Sequence, residues 1–110
     1  MDIVLVTFNS SKWIDQCFAA LKRANESEKD LNIYIVDNNS SDETIALLEK
    51  WKNQNAFHEF KINRQQNNNG FGVANNIGAG MGADDIICFI NIDTEVDVNT
   101  FHCLKRRILN

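Results

Sequence analysis

Short apolar runs alternate with longer amphipathic stretches along the chain. The runs at 3–7, 33–36 and 86–90 contain consecutive β-branched and aromatic residues, which is typical of strands buried on both faces of a parallel sheet. The run at 57–62 alternates apolar and polar residues and predicts a strand nearer the edge of the sheet. The pattern therefore predicts about four strands.

Apolar residues at spacings of three and four predict helices between these strands. The first helix begins at Ser10 or Ser11, either of which can serve as its N-cap. Its apolar stripe consists of Trp13, Ile14, Cys17, Phe18 and Leu21. The second helix is predicted to begin with a capping box, because Glu43 follows Ser40 after three residues. Acidic residues in that first turn would complement the helix dipole.

Two further helices complete the pattern. The stretch at 71–81 contains glycines, which suggest that its backbone closely approaches the sheet or a ligand. The last helix is expected at 99–109. Alternating strands and helices over residues 1–110 predict one three-layer α/β/α unit with a mainly parallel sheet. Ligands bind such sheets beyond the carboxyl ends of the strands, so polar residues that follow each strand should gather at one edge.

Composition and charge narrow the class of partner. Apolar residues make up 44% of the chain and the net charge is −4, which is ordinary globular composition and argues against nucleic-acid binding. No run approaches the length of a signal peptide or a membrane span. The cysteines, Cys17, Cys88 and Cys103, lie in apolar patterns and are predicted to be core thiols of a cytoplasmic protein. The basic stretch 105–107 complements a helix C-terminus or contacts an anionic membrane surface.

Carboxylates follow two of the predicted strands. Asp93 and Glu95 flank Thr94 after the last strand, and in an extended backbone they would point to the same side. A divalent cation would relieve their repulsion and leave coordination sites for phosphate oxygens, or the pair could simply cap the next helix. Asp37 could accept a hydrogen bond from a base N–H or a ribose hydroxyl, or it could form an Asx-turn that opens the next helix.

Taken together, the motifs resemble the N-terminal, nucleotide-sugar-binding half of a family 2 glycosyltransferase of the GT-A fold. The resemblance covers nearly the whole chain and rests on 6–10, 36–44, 69–76 and 91–95. The variants present here are most similar to the rhamnosyltransferase-like branch. The resemblance implies the strand order 3-2-1-4. It also implies transfer of a sugar from a UDP- or dTDP-linked donor to a saccharide or lipid-linked acceptor in cell-surface polysaccharide synthesis.

The resemblance also implies a set of site residues. The nucleotide-sugar site would comprise Thr7, Phe8, Asn9, Asp37, Asn39, Asn69, Gly70, Asn76 and Asp93. Asp93 and Glu95 would bind Mn²⁺ or Mg²⁺, which would neutralise the leaving diphosphate. The chain departs from the family pattern at Ile92, where a proline is usual, and at Glu95, where an aspartate is usual. Glutamate reaches one methylene further, which changes the expected metal geometry.

An acceptor-binding half normally supplies the catalytic base in this family, and it would lie beyond Asn110. The fourth strand would then be an exposed apolar edge, which predicts either a homodimer formed through that edge or a poorly soluble monomer. A cytoplasmic protein is expected, with peripheral association at the inner face of the membrane as an extension. The alternative to an enzyme is a non-catalytic nucleotide-sugar-binding or assembly module.

Overall fold

Strands and helices alternate strictly in the computed structural model, which describes residues 1–109. The elements are β1 (Asp2–Thr7), α1 (Ser11–Glu28), β2 (Asn32–Asp37), α2 (Thr44–Asn53), β3 (Glu59–Arg64), α3 (Phe71–Ala79), β4 (Ile87–Phe89) and α4 (Thr100–Leu109). The strands pair in parallel in the order β3-β2-β1-β4. The predicted α/β fold, its strand order and the edge position of the third strand are confirmed.

The two faces of the sheet carry different cores. Ile3 and Leu5 of β1 point into the larger core, which α1, α2 and α4 cover, whereas Val6 belongs to a smaller core beneath α3. This division follows from the period of two along a strand. Gly78 lets α3 lie directly on the sheet, because a Cβ atom there would collide with the side chain of Val4. The close approach predicted from the glycines is therefore to the sheet at this position.

The prediction that the last strand is buried on both faces is wrong for one face. Ile87 and Phe89 are 39% and 53% exposed, while Ile90 belongs to the larger core. The reason is that α3 packs mainly over β1 and β2, so the same face of β4 is left uncovered. Beyond Ile90 the backbone turns, with the Thr94 N–H donating to the Asn91 carbonyl at 3.0 Å.

The helix starts differ from the predicted capping pattern. Glu43 is the N-cap residue of α2, which begins at Thr44 with no acidic residue in its first turn. The predicted capping box is wrong because the Ser40 hydroxyl donates to the Asp37 carboxylate at 2.6 Å instead of serving the helix. Ser10 is the N-cap residue of α1, but its hydroxyl bonds the backbone of Phe8.

Two residues assigned to the core by their spacing lie at the surface. Trp13 is 38% exposed and Cys103 is exposed on α4, whereas Cys17 is buried as predicted. Helical spacing identifies a shared face, but it does not show whether another element covers both ends of that face. On α4, Phe101 is fully buried whereas Cys103, two residues further along, is exposed, because the two side chains point to different sides of the helix.

The basic stretch on α4 is divided between an internal contact and solvent. Lys105 forms ion pairs with Asp30 at 2.8 Å and Glu28 at 3.3 Å. Burial lowers the pKa of Lys105, but the hydrogen bonds to these carboxylates outweigh burial and raise the pKa above its usual value. Arg106 and Arg107 are exposed. Within residues 1–109, the helices are all too short or too polar to cross a membrane.

Candidate functional site

A cavity of about 540 Å³ lies at the carboxyl end of the sheet, where parallel α/β folds bind ligands. The loops that follow all four strands, together with the start of α3 and Trp13 of α1, surround it. Its lining residues are Val6, Phe8, Asn9, Ser10, Trp13, Asn38, Asn68, Gly70, Phe71, Asn91, Ile92 and Asp93. Polar residues from each of the four loops therefore gather at one edge, as expected.

The structure separates the predicted site residues into two groups. Phe8, Asn9, Gly70 and Asp93 line the cavity. The residues outside its lining are Thr7, Asp37, Asn39, Asn69, Asn76 and Glu95. The second group surrounds the first at the same sheet edge or lies on the exposed surface beside it. Their predicted ligand contacts remain predictions.

Asp37 is buried and already satisfied within the protein. Its Oδ1 accepts hydrogen bonds from the Thr7 hydroxyl at 2.7 Å and the Ser40 hydroxyl at 2.6 Å, and its Oδ2 accepts from the Ser40 N–H at 2.8 Å. These contacts join the ends of β1 and β2 and shape the loop that follows β2. The alternative interpretation of Asp37 as a turn-forming residue describes this geometry.

Asn9 connects the loops that follow β1 and β2. Its backbone N–H donates to the Ser40 hydroxyl at 2.8 Å, and its side-chain oxygen accepts from the Ser41 N–H at 2.8 Å. The residue has a positive φ of 48°, a conformation in which asparagine is several-fold enriched. Asn9 is therefore held in position by the neighbouring loop before any ligand binds.

Asp42 and Thr44 add a second connection between the same loops. The Thr44 hydroxyl accepts from the Ser10 N–H at 2.8 Å, and Asp42 accepts from the Thr44 N–H at 2.9 Å and the Ser11 N–H at 3.3 Å. Burial raises the pKa of Asp42, but the hydrogen bonds from Thr44 and Ser11 outweigh burial and hold the pKa below its usual value. The β1 and β2 sides of the cavity are thus pre-organised by side-chain contacts.

Three aromatic side chains, those of Phe8, Trp13 and Phe71, line the cavity. Phe8 and Phe71 are about half exposed, and the Lys12 ammonium lies 4.9 Å from the centroid of the Trp13 ring. Exposed aromatic faces at a cavity offer stacking surfaces for a planar ring. Sequence reasoning missed Trp13 and Phe71, because both fit the apolar stripe of a helix. The only available signal was their position in the first turn after a polar loop.

Asn38 is a polar lining residue that sequence reasoning also missed. Its side-chain nitrogen donates to the Gly70 carbonyl at 3.3 Å. Its side-chain oxygen is buried and has no hydrogen-bond partner among residues 1–109. A buried amide oxygen without a partner is uncommon in folded proteins. Asn38 directly follows Asp37, so it points away from the network that Asp37 forms.

Asp93 and Glu95 are both exposed, and only Asp93 of the pair lines the cavity. Because the backbone turns at 91–94, the extended arrangement considered for these two residues does not apply. Burial, followed by the negative charges of Asp93 and Glu95, raises the pKa of the Cys17 thiol to about 12. The carboxylates of Asp93 and Glu95 are therefore both close enough to the buried Cys17 sulfur for their charges to disfavour its thiolate.

The donor set fits a cation that is shared with a ligand. Within the described chain, no three His, Cys, Asp or Glu side chains form a protein cage for a metal. Mg²⁺ is usually held by one or two carboxylates together with substrate phosphates, and Mn²⁺ favours the same oxygen ligands. Asp93 at the cavity, with Glu95 two residues further on, supplies that kind of partial site.

Comparisons with known proteins agree with this fold. The curated poly(ribitol-phosphate) beta-N-acetylglucosaminyltransferase TarS of Staphylococcus aureus is 22% identical over 99 residues, which is 89% of this chain. The chain spans only 17% of that relative's length. The crystal structure of S. aureus TarS 1–349 gives a TM-score of 0.86 at 21% identity and covers 97% of this chain and 31% of that one.

Two ligand complexes have the same fold. TarS 1–349 in complex with UDP-GlcNAc gives a TM-score of 0.86 at 21% identity and covers 97% of this chain and 30% of that one. Mannosyltransferase PcManGT from Pyrobaculum calidifontis, in complex with GDP-Man and Mn²⁺, gives 0.76 at 16% identity over 84% of this chain and 27% of that one. The family model described as glycosyl transferase family 2 matches residues 2–109. This chain belongs to glycosyl transferase family 2.

Proposed function

We propose that this chain is the donor-binding part of a glycosyltransferase and that its cavity holds a nucleotide-diphosphate sugar. The observation that carries the proposal is the cavity of about 540 Å³ at the carboxyl edge of the sheet, with aromatic, amide and carboxylate groups in its lining. The complexes of TarS with UDP-GlcNAc and of PcManGT with GDP-Man support the choice of ligand class. The acceptor would be a saccharide or lipid-linked acceptor in cell-surface polysaccharide synthesis; the name of TarS gives poly(ribitol-phosphate) as the acceptor for TarS itself.

In this proposal the aromatic and amide side chains of the lining bind the nucleoside. Phe8 offers a ring face to the base, and Asn9 and Gly70 border the same space. The Thr7 hydroxyl donates a hydrogen bond to Asp37, and this contact supports the pocket from outside its lining. Asn39, Asn69 and Asn76 form the polar surroundings of the pocket. Direct hydrogen bonding of Asp37 to base or ribose requires exchange of one of its internal partners.

Mn²⁺ or Mg²⁺ is the cofactor we propose, held by Asp93 and Glu95 together with the diphosphate. The lining residues within 1–109 include no Lys or Arg, so the cavity itself supplies no fixed positive charge for a diphosphate. A bound divalent cation supplies charge neutralisation of the leaving group. By holding the cation in place, Asp93 and Glu95 would position the diphosphate that binds to it.

Finer features remain part of the proposal. The motif variants favour the rhamnosyltransferase-like branch and a UDP- or dTDP-linked sugar. The exposed Arg106 and Arg107 suit peripheral contact with the inner face of the membrane by a cytoplasmic protein. β4 is an edge strand of the sheet, and its uncovered face carries the apolar side chains of Ile87 and Phe89. An exposed apolar edge of this kind suits a homodimer formed through β4.

A non-catalytic nucleotide-sugar-binding module is the second candidate. It is favoured by the lining of the cavity, in which Asp93 is the one carboxylate among the described residues. If Asp93 serves the cation, the lining within the described residues holds no second carboxylate that could act as the general base for transfer. Nucleotide binding without turnover by this chain would fit either candidate, whereas turnover would exclude the second.

Titration calorimetry with UDP, dTDP and GDP in the presence of Mn²⁺ tests the proposed function. Binding of at least one nucleotide diphosphate is expected, and absence of heat with all three would contradict the proposal. Release of sugar from UDP- and dTDP-linked donors, measured on the same preparation, separates the two candidates. A preference for a dTDP-sugar would support the rhamnosyltransferase-like branch, and a preference for UDP-GlcNAc would argue against it.

A further inference from the structure

The sequence contains one Asn-Gly pair, Asn69-Gly70, and it lies in the loop between β3 and α3. Both residues are exposed, and neither belongs to a helix or a strand. The side-chain amide of an asparagine can be attacked by the next backbone nitrogen, and a following glycine hinders this ring closure least because it has no Cβ. An exposed Asn-Gly pair in a loop is therefore a candidate site of chemical modification.

The surroundings of Gly70 leave room for this reaction. A Cβ atom at Gly70 would have no heavy atom within 4 Å apart from those of its chain neighbours. The Gly70 N–H donates to the side-chain oxygen of Asn68 at 3.0 Å. That acceptor is a neutral amide on an exposed residue, and an exposed hydrogen bond in a loop opens at little cost. The Gly70 nitrogen is therefore available to the side chain of Asn69.

Two Asn-Ser pairs at the same edge of the sheet lack this freedom. They lie at 9–10 and 39–40, and their serine N–H groups donate to the buried acceptors Thr44 Oγ1 and Asp37 Oδ2, each at 2.8 Å. Breaking a buried hydrogen bond to free the nitrogen costs more than opening an exposed one. These pairs should therefore react more slowly than Asn69-Gly70, which makes them internal controls in the same chain.

We propose that Asn69 is a site of spontaneous deamidation and that the reaction lowers the affinity of the cavity for a nucleotide diphosphate. The Gly70 nitrogen loses its proton and forms a bond to the side-chain carbonyl carbon of Asn69. The bond from that carbon to the amide nitrogen breaks, and the nitrogen takes up a proton and leaves as ammonia. Water then opens the cyclic imide at either carbonyl and gives aspartate or isoaspartate, with no change of oxidation state.

The effect on the cavity follows from the position of Asn69. Asn68 and Gly70, on either side of it, both line the cavity. Either product adds a negative charge between these two residues, which disfavours an anionic ligand. Isoaspartate also inserts a methylene group into the backbone before Gly70, whose carbonyl accepts from the Asn38 side chain and the Ala74 N–H. The effect on binding rests on the proposed function, whereas the reaction itself does not.

Ageing of the whole 110-residue chain in mildly alkaline buffer tests the modification, because base removes the Gly70 proton. Peptide mapping by mass spectrometry, with isoaspartyl methyltransferase to label isoaspartate, measures conversion at each asparagine. Conversion at Asn69 should be at least about tenfold faster than at Asn9 and Asn39, as expected where a buried hydrogen bond holds the attacking nitrogen. Faster conversion at any other asparagine, or none at Asn69, would overturn the proposal.

The same measurement in urea shows whether the fold governs these rates. Unfolding should speed conversion at Asn9 and Asn39, because it releases the serine N–H groups. The rate at Asn69 in the folded chain should lie within about threefold of its rate in urea, since an exposed loop bond opens at little cost. A much slower reaction at Asn69 in the folded chain would show that the contact to Asn68 protects it, and would overturn the proposal.

Calorimetric titration with UDP and Mn²⁺ before and after ageing tests the effect on the cavity. The aged wild type should bind UDP about fivefold more weakly than the fresh protein. Asn69→Gln does not form this imide readily and should keep its own starting affinity through ageing. Asn69→Asp should bind UDP weakly without ageing. The matched control is Asn67→Asp, which adds the same charge at an exposed residue outside the cavity lining and should lower affinity less.

The outcomes separate this inference from the proposed function. Conversion of Asn69 with unchanged UDP affinity, or an equal loss of affinity in aged Asn69→Gln, would overturn the coupling to the cavity. Equal losses in Asn69→Asp and Asn67→Asp would show a general effect of charge and would overturn the coupling as well. Absence of UDP binding by the fresh wild type would contradict the proposed function and with it the effect on binding, while fast conversion at Asn69 would still establish the modification site.

Discussion

Asp37 is the last residue of β2 and Asp93 follows β4, and the two carboxylates at the carboxyl edge of the sheet lie in different surroundings. Strands β1 and β2 stay in register up to Thr7 and Asp37, so that Asp37 is enclosed. Strand β4 pairs with β1 only through Ile87–Phe89, and Asp93 lies beyond the pairing in an exposed turn. A carboxylate at the end of a strand therefore supports the structure where strand pairing continues to that residue, and is accessible to a ligand where pairing stops before it.

The largest expected effect is the loss of stability in Asp37→Ala. The change leaves the Thr7 hydroxyl and both Ser40 donors without their acceptor, so we expect the free energy of unfolding to fall by about 3 kcal/mol. Urea denaturation followed by circular dichroism measures this. A loss below about 1 kcal/mol would show that Asp37 is not the structural member of the pair.

A smaller effect is expected from Ser40→Ala. The Ser40 hydroxyl donates to Asp37 and accepts from the Asn9 N–H, so its removal should lower the free energy of unfolding by about 1–2 kcal/mol. Ser41→Ala is the matched control, because Ser41 is exposed, and it should change stability by less than about 0.5 kcal/mol. Equal effects of the two changes would refute the buried connection between the loops.

Asp42 gives a pH-dependent prediction for the same loops. Hydrogen bonds from Thr44 and Ser11 hold its pKa below the usual aspartate value in the folded chain. The stability that Asp42 contributes is therefore present above the usual pKa and is lost as the pH falls through the lowered pKa. When the pH is lowered from above the usual aspartate pKa to below it, the free energy of unfolding should therefore fall slightly more in the wild type than in Asp42→Asn. Parallel denaturation curves for the two proteins would contradict the assignment.

The sequence allowed the architecture to be predicted because strand and helix periods are local. Successive side chains of a strand point to opposite faces, so Ile3 and Leu5 share one face of β1 and Val6 lies on the other. The uncovered face at Phe89 could not be predicted in this way, because it depends on how far α3 extends over the sheet. Burial of one strand is a property of its neighbours in space.

The candidate site was predictable in part from the resemblance to family 2 glycosyltransferases. The resemblance implied Phe8, Asn9, Gly70 and Asp93 as site residues, and these four line the cavity. Ser40 was assigned to a helix cap because sequence spacing cannot show that Asp37 captures its hydroxyl. Asn38 was missed because an unpaired buried acceptor is visible only once every other hydrogen-bond partner has been placed.

The central claim is that Asp93 serves a cation-bound nucleotide diphosphate, and UDP affinity with and without Mn²⁺ tests it most directly. Asp93→Ala should lower UDP affinity in Mn²⁺ about tenfold or more, without lowering stability by more than about 0.5 kcal/mol. Asp85→Ala, an exposed carboxylate before β4, is the control and should leave affinity unchanged. A chelator should weaken binding by the wild type but barely change that of Asp93→Ala. Equal UDP affinity in the wild type and Asp93→Ala, or binding that ignores Mn²⁺, would contradict the account.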